Sequence, residues 1–255
     1  MSAHRTTAIL QARTSSSRLP GKVLADLCGE PMLVRQMERI ARAKLVDKIV
    51  VATSTDSSDD PLEVLANRMG WLIYRGSLDD VLDRFAKAAA QYPAEHVVRL
   101  TGDCPLTDPD IIDAVIAHHL VCAADITTNS AQPSFPDGLD VEVMRFKALM
   151  TAADQASLGF EREHVTQFLY RRPERFQVAH YQGPINLSGL RWTVDEPADL
   201  TFVRAVYEAL YTANPTFGWQ DVLRLLDERP ALTAINSQFR RNEGLESSIA
   251  KEAEL

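Results

Sequence analysis

The twelve residues Gln11-Ala12-Arg13-Thr14-Ser15-Ser16-Ser17-Arg18-Leu19-Pro20-Gly21-Lys22 bring together three cations, four hydroxyls and a Pro-Gly turn. Backbone N–H groups and point charges in such a loop can surround a polyphosphate. The stretch is not a Walker A loop, because GxxxxGK[ST] is absent. By composition alone it is equally a solvated Ser-rich turn. Two later segments offer carboxylates: Arg99-Leu100-Thr101-Gly102-Asp103-Cys104-Pro105-Leu106 and Arg191-Trp192-Thr193-Val194-Asp195-Glu196-Pro197. A hard divalent cation bridging nucleotide phosphates takes one or two such acids, with water and phosphate oxygens completing its shell. Read singly, Asp103 is also a turn former and Asp195 a helix cap.

The elements that must position these residues follow from hydrophobic periodicity. Short apolar runs at 7–12, 48–53, 71–74 and 96–101 are each followed by a helical pattern, the rhythm of βαβ units and a parallel sheet. Leu33, Met37, Ile40 and Ala41 form one core-facing stripe; Leu78, Val81, Leu82, Phe85 and Ala89 form another. Asp108-Pro109 marks a helix start, with Ile111, Ile112, Val115 and Ile116 on its apolar face. From about Asn129 the rhythm changes, and 130–185 reads as an insertion with a strand over 139–144, helices over 146–157 and 160–171, and a strand near 176–181. A strand at 190–194 and a helix from Pro197 then return to the main sheet. The expected fold is α/β: a Rossmann-like, mostly parallel twisted sheet flanked by helices, one domain over 1–235 with a small inserted subdomain. Residues 236–255 read as a polar tail whose last dozen residues are mobile.

The whole chain has 27 Lys+Arg against 35 Asp+Glu, a formal charge of -8, which argues against a broad nucleic-acid or anionic-membrane surface. The charge is uneven. Residues 1–48 contain nine Lys/Arg and four Asp/Glu, so the first βα unit is basic within an acidic chain and suits a small polyphosphate. No segment approaches about 18 uninterrupted apolar residues, and Met1 to Thr7 lacks the apolar stretch of a signal peptide, so a cytoplasmic protein is expected. Cys28, Cys104 and Cys122 lie far apart without CxxC spacing and read as reduced thiols, mostly buried. His118-His119 do not share a helix face, which disfavours a metal pair. Trp71, Trp192 and Trp219 read as core or interface anchors. Of Asp56, Asp59 and Asp60, at least one is expected to cap a helix.

Together the three chemical segments resemble the cytidylyltransferases that activate sugars as CMP conjugates. The family's opening Ala-Arg-x-x-Ser-x-Arg-Leu-Pro-Gly-Lys is matched by Ala12 to Lys22, its Gly-Asp-x-Pro-Leu by Gly102 to Leu106, and its late Asp-x-Pro-x-Asp-Leu by Asp195 to Leu200. The likeness is greatest to the spore-coat polysaccharide branch, through Arg75-Gly76-Ser77 with Asp80 to Arg84, Phe135 to Glu142, and Glu161 to Thr166. The resemblance implies that Arg13 and Lys22 hold the CTP triphosphate and stabilise departing pyrophosphate, with Arg18 lining the same loop. It implies that Leu10, Gln11, Ala12, Ala52, Thr53, Thr101 and Gly102 bound the nucleotide, and that Asp103 and Asp195 hold Mg²⁺. Catalytic roles thus fall on Arg13, Lys22, Asp103 and Asp195. Members that activate keto-deoxy-octulosonate usually place Glu where this chain has Cys104, and Ser-Gly-Thr-Glu-Arg where it has Ser77 to Arg84, so the acceptor is open. Asp137, Asp140, Glu163 and His164 are the expected acceptor-binding residues, unless they are merely charged surface, and 130–185 the expected homodimer contact. Two rivals stand beside this reading: a nucleotide-sugar-dependent glycosyltransferase using Asp108-Pro109-Asp110 as its metal motif, and a nucleotide-binding regulator without turnover.

Overall fold

The computed structural model describes residues 5–253. Its strands are β1 (Thr6–Gln11), β2 (Asp26–Leu27), β3 (Glu30–Pro31), β4 (Lys48–Ser54), β5 (Leu72–Gly76), β6 (His96–Thr101), β7 (Ile126–Thr128), β8 (Glu142–Arg145) and β9 (Val178–His180). Seven of them form one sheet in the order β5-β4-β1-β6-β8-β7-β9, while β2 and β3 make a separate short hairpin. The pairings β4–β5, β1–β4, β1–β6 and β7–β9 are parallel. β8 runs antiparallel to both β6 and β7. The helices are α1 (Met32–Ile40), α2 (Asp60–Met69), α3 (Val81–Gln91), α4 (Pro109–Cys122), α5 (Phe146–Gln155), α6 (Gly159–Glu163), α7 (Gln167–Tyr170), α8 (Pro197–Leu210), α9 (Trp219–Glu228) and α10 (Glu243–Ala253).

The runs expected as parallel strands are strands, within a residue or two at each end. β1 is buried along most of its length because both its faces are covered, which is why it reads as a continuous apolar run. One core cluster joins Leu10, Val98 and Leu100 to α1, α4 and α8; the other joins Ile9 and Val97 to α3, α5 and α7. Helices therefore flank the sheet on both sides. α4 starts where Asp108 accepts hydrogen bonds from the backbone N–H groups of Asp110 and Ile111, with Pro109 in the first turn. Among the described residues no helix is long and apolar enough to cross a membrane.

The 130–185 stretch breaks the βαβ rhythm as expected, but its strands β8 and β9 hydrogen-bond into the main sheet. The short β7, with no alternation long enough to read, joins them. Three expectations need correction. Residues 190–194 add no strand to the sheet; their backbone bonds go to two loops, Trp192 N to Asp137 O (2.6 Å) and Val194 N to Asp103 O (2.8 Å). The helix expected over 160–171 is two short ones, broken at Val165, whose φ of 56° is strained for a β-branched residue. Residues 243–253, part of the stretch expected to be a polar tail, form the helix α10, packed on α6. Their polarity misled because α10 is held by polar contacts rather than an apolar stripe. Of the three free cysteines only Cys104 is buried.

Candidate active site

The strand order reverses beside β1: the chain moves from β1 outward to β4 and β5, then crosses to β6 on the other side. Ligands of open α/β sheets bind outside the carboxyl ends of strands at such a switch point. Here a cleft of about 1110 Å³ opens, lined at this end by Gln11, Ala12, Arg13, Arg18, Lys22, Thr101, Gly102, Asp103 and Asp195. Gly102 lets the two strand ends meet. Its N–H donates to Gln11 O (2.8 Å), and a Cβ there would stand 3.0 Å from that of Ala12. Leu10, Ala52 and Thr53 lie fully buried behind this lining, and Ala52 O accepts from Ala12 N (3.1 Å).

Lys22, 8% exposed, is the hub. Its Nζ donates to Asp195 Oδ1 (2.8 Å) and Val194 O (2.7 Å), and lies 3.5 Å from Asp103 Oδ2. Burial acts to lower the Lys22 ammonium, but Asp103 and Asp195 more than offset it and hold its pKa above the ordinary value. Burial likewise acts to raise Asp103, yet the Lys22 charge and hydrogen bonds bring it below the usual carboxylate range. Both acids thus reach the same cation from points far apart in sequence, Asp103 just beyond β6 and Asp195 just before α8. Arg18 adds a second charge, its Nη2 2.9 Å from Asp195 Oδ2. Arg13 is exposed at the cleft. The guanidinium of Arg84 also faces the cleft, 2% exposed and bonded to the carbonyl of Ser77 (2.6 Å); burial, then the like charge of Arg13, bring its pKa down to about 10.

Asp195 is aimed from behind by Asp199, which is fully buried. Asp199 accepts from Arg191 Nε and Nη2, from the N–H groups of Asp195 and Glu196, and from Asn236 Nδ2, each at 2.9 Å. The loop between β1 and Lys22 has a comparable anchor in Asp59, also fully buried. Its carboxylate accepts from Thr14 N (2.7 Å), Thr14 Oγ1 (2.9 Å), Ser54 N (3.1 Å) and Ser54 Oγ (2.5 Å). Neither residue is assigned to the site from the sequence. Asp56 is the cap in that acidic run, accepting from Ser58 N (2.8 Å).

The wall of the same cleft also includes Asp137, Asp140, Glu163 and His164, so all four expected acceptor residues line it. Gly138 (φ 109°) lets this wall approach Trp192–Thr193: a Cβ would meet Thr193 N at 2.6 Å. Burial, then the neighbouring charge of Asp140, push Asp137 up to about 7. Burial also raises Asp140 and lowers His164. The floor carries a group the sequence reading missed. Glu142 accepts from Arg99 Nη1, Thr166 Oγ1 (2.9 Å) and Tyr170 Oη (2.5 Å). A charged residue on an otherwise apolar strand was the available signal.

Other sequence features fall outside the cleft. Asp108, 2% exposed, is occupied as the α4 cap and by Trp219 N (2.9 Å), so Asp108-Pro109-Asp110 offers no exposed metal motif. His119 bonds His96 (3.0 Å) and Thr127 (2.9 Å) while His118 meets Cys122. Trp192 is fully buried, and Trp71 and Trp219 pack against the same core. Among the described residues no group of three or more His, Cys, Asp or Glu could hold a metal unaided. Asp103 and Asp195 are two oxygen donors that need others to complete a shell.

A cationic loop and two acids, one just beyond β6 and one just before α8, meet at the switch point of a mostly parallel sheet, the placement expected of a nucleotidyltransferase. The chain belongs to the cytidylyltransferase family, whose description matches residues 7–207. It is 34% identical to an uncharacterised protein, MJ1063, of Methanocaldococcus jannaschii, over 91% of this chain and 95% of that one. It is 31% identical to the spore coat polysaccharide biosynthesis protein SpsF of Bacillus subtilis, over 87% and 94%. A 3-deoxy-manno-octulosonate cytidylyltransferase of Geobacter sulfurreducens is 42% identical over 44% of each chain. Among solved structures, a cytidylyltransferase from Leptospira borgpetersenii superposes with a TM-score of 0.86 at 28% identity, covering 90% of this chain and 97% of that one. A CMP:2-keto-3-deoxy-manno-octonic acid synthetase complexed with CTP shares the fold, with a TM-score of 0.63 at 19% identity, covering 80% and 99%.

Two outcomes follow from this geometry. Asp59→Ala strips buried donors of their acceptor and is expected to cost about 3 kcal/mol or more of stability, read from the urea midpoint. Asp137 has a folded pKa far above its unfolded value of about 4, so its ionisation costs stability that is intact at acid pH and lost as pH rises through about 7. Asp137→Asn is therefore expected to raise the melting temperature at pH 8 and leave it nearly unchanged at pH 4; the reverse pattern contradicts the assignment.

Proposed function

We propose that the protein transfers CMP from CTP to a sugar or sugar-like acid, releasing pyrophosphate, in the synthesis of a surface polysaccharide or glycan. The observation that carries this reading is the Lys22 ammonium held between Asp103 and Asp195, with the cationic loop on one side and the acid-lined wall on the other. Its place in the cytidylyltransferase family supports the nucleotide, and the names of its relatives support a sugar-type acceptor.

In-line attack by an acceptor hydroxyl on the α-phosphorus puts charge on the phosphoryl and leaving oxygens, and fixed cations stabilise it. Arg13 and Arg18, on the loop, bind the triphosphate. Lys22 neutralises the two acids and carries positive charge to the phosphate side. Asp103 and Asp195 fit Mg²⁺, a hard ion that takes one or two carboxylates and completes its shell with water and phosphate oxygens. When bound, it supplies further neutralisation of the phosphates. Asp137, Asp140 and Glu163 accept hydrogen bonds from acceptor hydroxyls. Burial keeps His164 neutral near pH 7, the form that accepts a proton, so it is the group best suited to take the attacking hydroxyl's proton.

Pyrophosphate release from CTP, Mg²⁺ and a panel of sugar acids tests the reading. Asp103→Asn and Lys22→Ala are each expected to lower kcat/KM by about 10² or more with the circular-dichroism spectrum retained, and chelation to abolish turnover until Mg²⁺ is returned. CTP binding indifferent to both substitutions contradicts the site. Turnover of a nucleotide sugar without CTP consumption contradicts the function.

A further inference from the structure

The last described stretch of the chain reaches back over the acceptor half of the cleft. Arg191 Nη1 donates to Arg240 O (3.1 Å), and Asn242 takes a left-handed backbone (φ 64°) that turns the chain into α10. Arg241, between them, points inward with its side chain 12% exposed. Its Nη2 bonds Asp140, its Nη1 donates to Phe135 O (3.2 Å), and its Nε lies 3.9 Å from Asp137 Oδ1. Along α10, Glu243 stands 3.9 Å from Arg18 of the phosphate loop. Ser248 Oγ stands 2.8 Å from Glu163 Oε2 and 3.1 Å from His164 Nε2, and Glu252 accepts from Gly159 N (3.0 Å). One short segment thus touches all four acceptor-wall residues and one phosphate-loop cation.

We infer that residues 240–253 form the outer wall of the acceptor subsite and that Arg241 is a positioning residue for acceptor recognition. The ligand's identity rests on the nucleotidyltransfer reading above; the assignment of the C-terminal segment goes beyond it. The Asp140 charge is close enough to raise Asp137, and two such carboxylates splay apart or lose a charge unless a cation stands beside them. Arg241 supplies that cation from behind the wall, where it does not itself line the cleft. Its planar fork fixes Asp140 and a backbone carbonyl together, leaving the remaining carboxylate lone pairs directed at acceptor hydroxyls. Ser248, through one neutral hydroxyl, links Glu163 and His164.

The test compares full-length wild type, Arg241→Met, Arg241→Lys and Ser248→Ala. CTP affinity is read by calorimetry, turnover with 3-deoxy-manno-octulosonate as the probe acceptor, and backbone exposure by hydrogen–deuterium exchange. Arg241→Met is expected to raise the probe's KM about tenfold or more, with CTP affinity within about twofold and part of the loss recovered by Arg241→Lys. Arg241→Met and Ser248→Ala are expected to speed exchange in 137–142 and 159–164 respectively, and in 240–253, with 12–22 unchanged. An Arg241→Met protein whose CTP affinity falls as far as its probe KM rises, or in which neither moves, overturns the inference. Where the wild type binds CTP but does not turn over the probe, the exchange pattern alone decides, and unchanged exchange at 137–142 overturns it. A wild type that fails to bind CTP defeats the nucleotidyltransfer reading instead, leaving exchange to judge whether the segment is docked.

Discussion

The rest of the site depends on one buried cation. Lys22 is brought against Asp103, 81 residues away, and Asp195, 173 residues away. An ammonium taken out of water without partners costs several kcal/mol, so the loop, the end of β6 and the segment before α8 are tied to one relative placement. Other features serve that convergence. Gly102 permits the strand ends to close, Asp59 ties the loop to the end of β4, and the Arg191–Asp199 pair fixes the backbone that presents Asp195.

The cleft is lined by charges of both signs, Arg13, Arg18, Lys22 and Arg84 from the first loop and α3, and Asp137, Asp140 and Glu163. The C-terminal segment spans both, through Glu243 to Arg18 and through Arg241 to Asp140.

How much of this was legible in the sequence follows from how local each signal is. The parallel strands and their helices were readable because both faces of β1 and its neighbours are buried, which leaves continuous apolar runs. Arg13, Arg18, Lys22, Asp103 and Asp195 stood out because turn residues and charges cluster around them. Asp59 and Asp199 did not, since a buried acid that accepts backbone N–H bonds looks in sequence like any helix-capping acid. Residues 190–194 were misread because a β-like pattern does not say whether its partners are one strand or two loops. The polar composition of 236–255 reads as a tail, although charged residues within it find partners in the folded cleft. The Val165 break could not be seen at all, because nothing in the sequence marks a valine for a left-handed backbone.

Under the proposed function, Asp103 and Asp195 meet the nucleotide between the cationic loop and the acids Asp137 and Asp140. Diffraction from crystals grown with CTP and Mn²⁺ tests it most directly. The expected result is an anomalous peak bonded to both carboxylates, with the β- and γ-phosphates against Arg13 and Arg18 and the α-phosphorus open toward Asp137 and Asp140. A metal bound away from both acids, or a triphosphate lying along the acid wall, would contradict it.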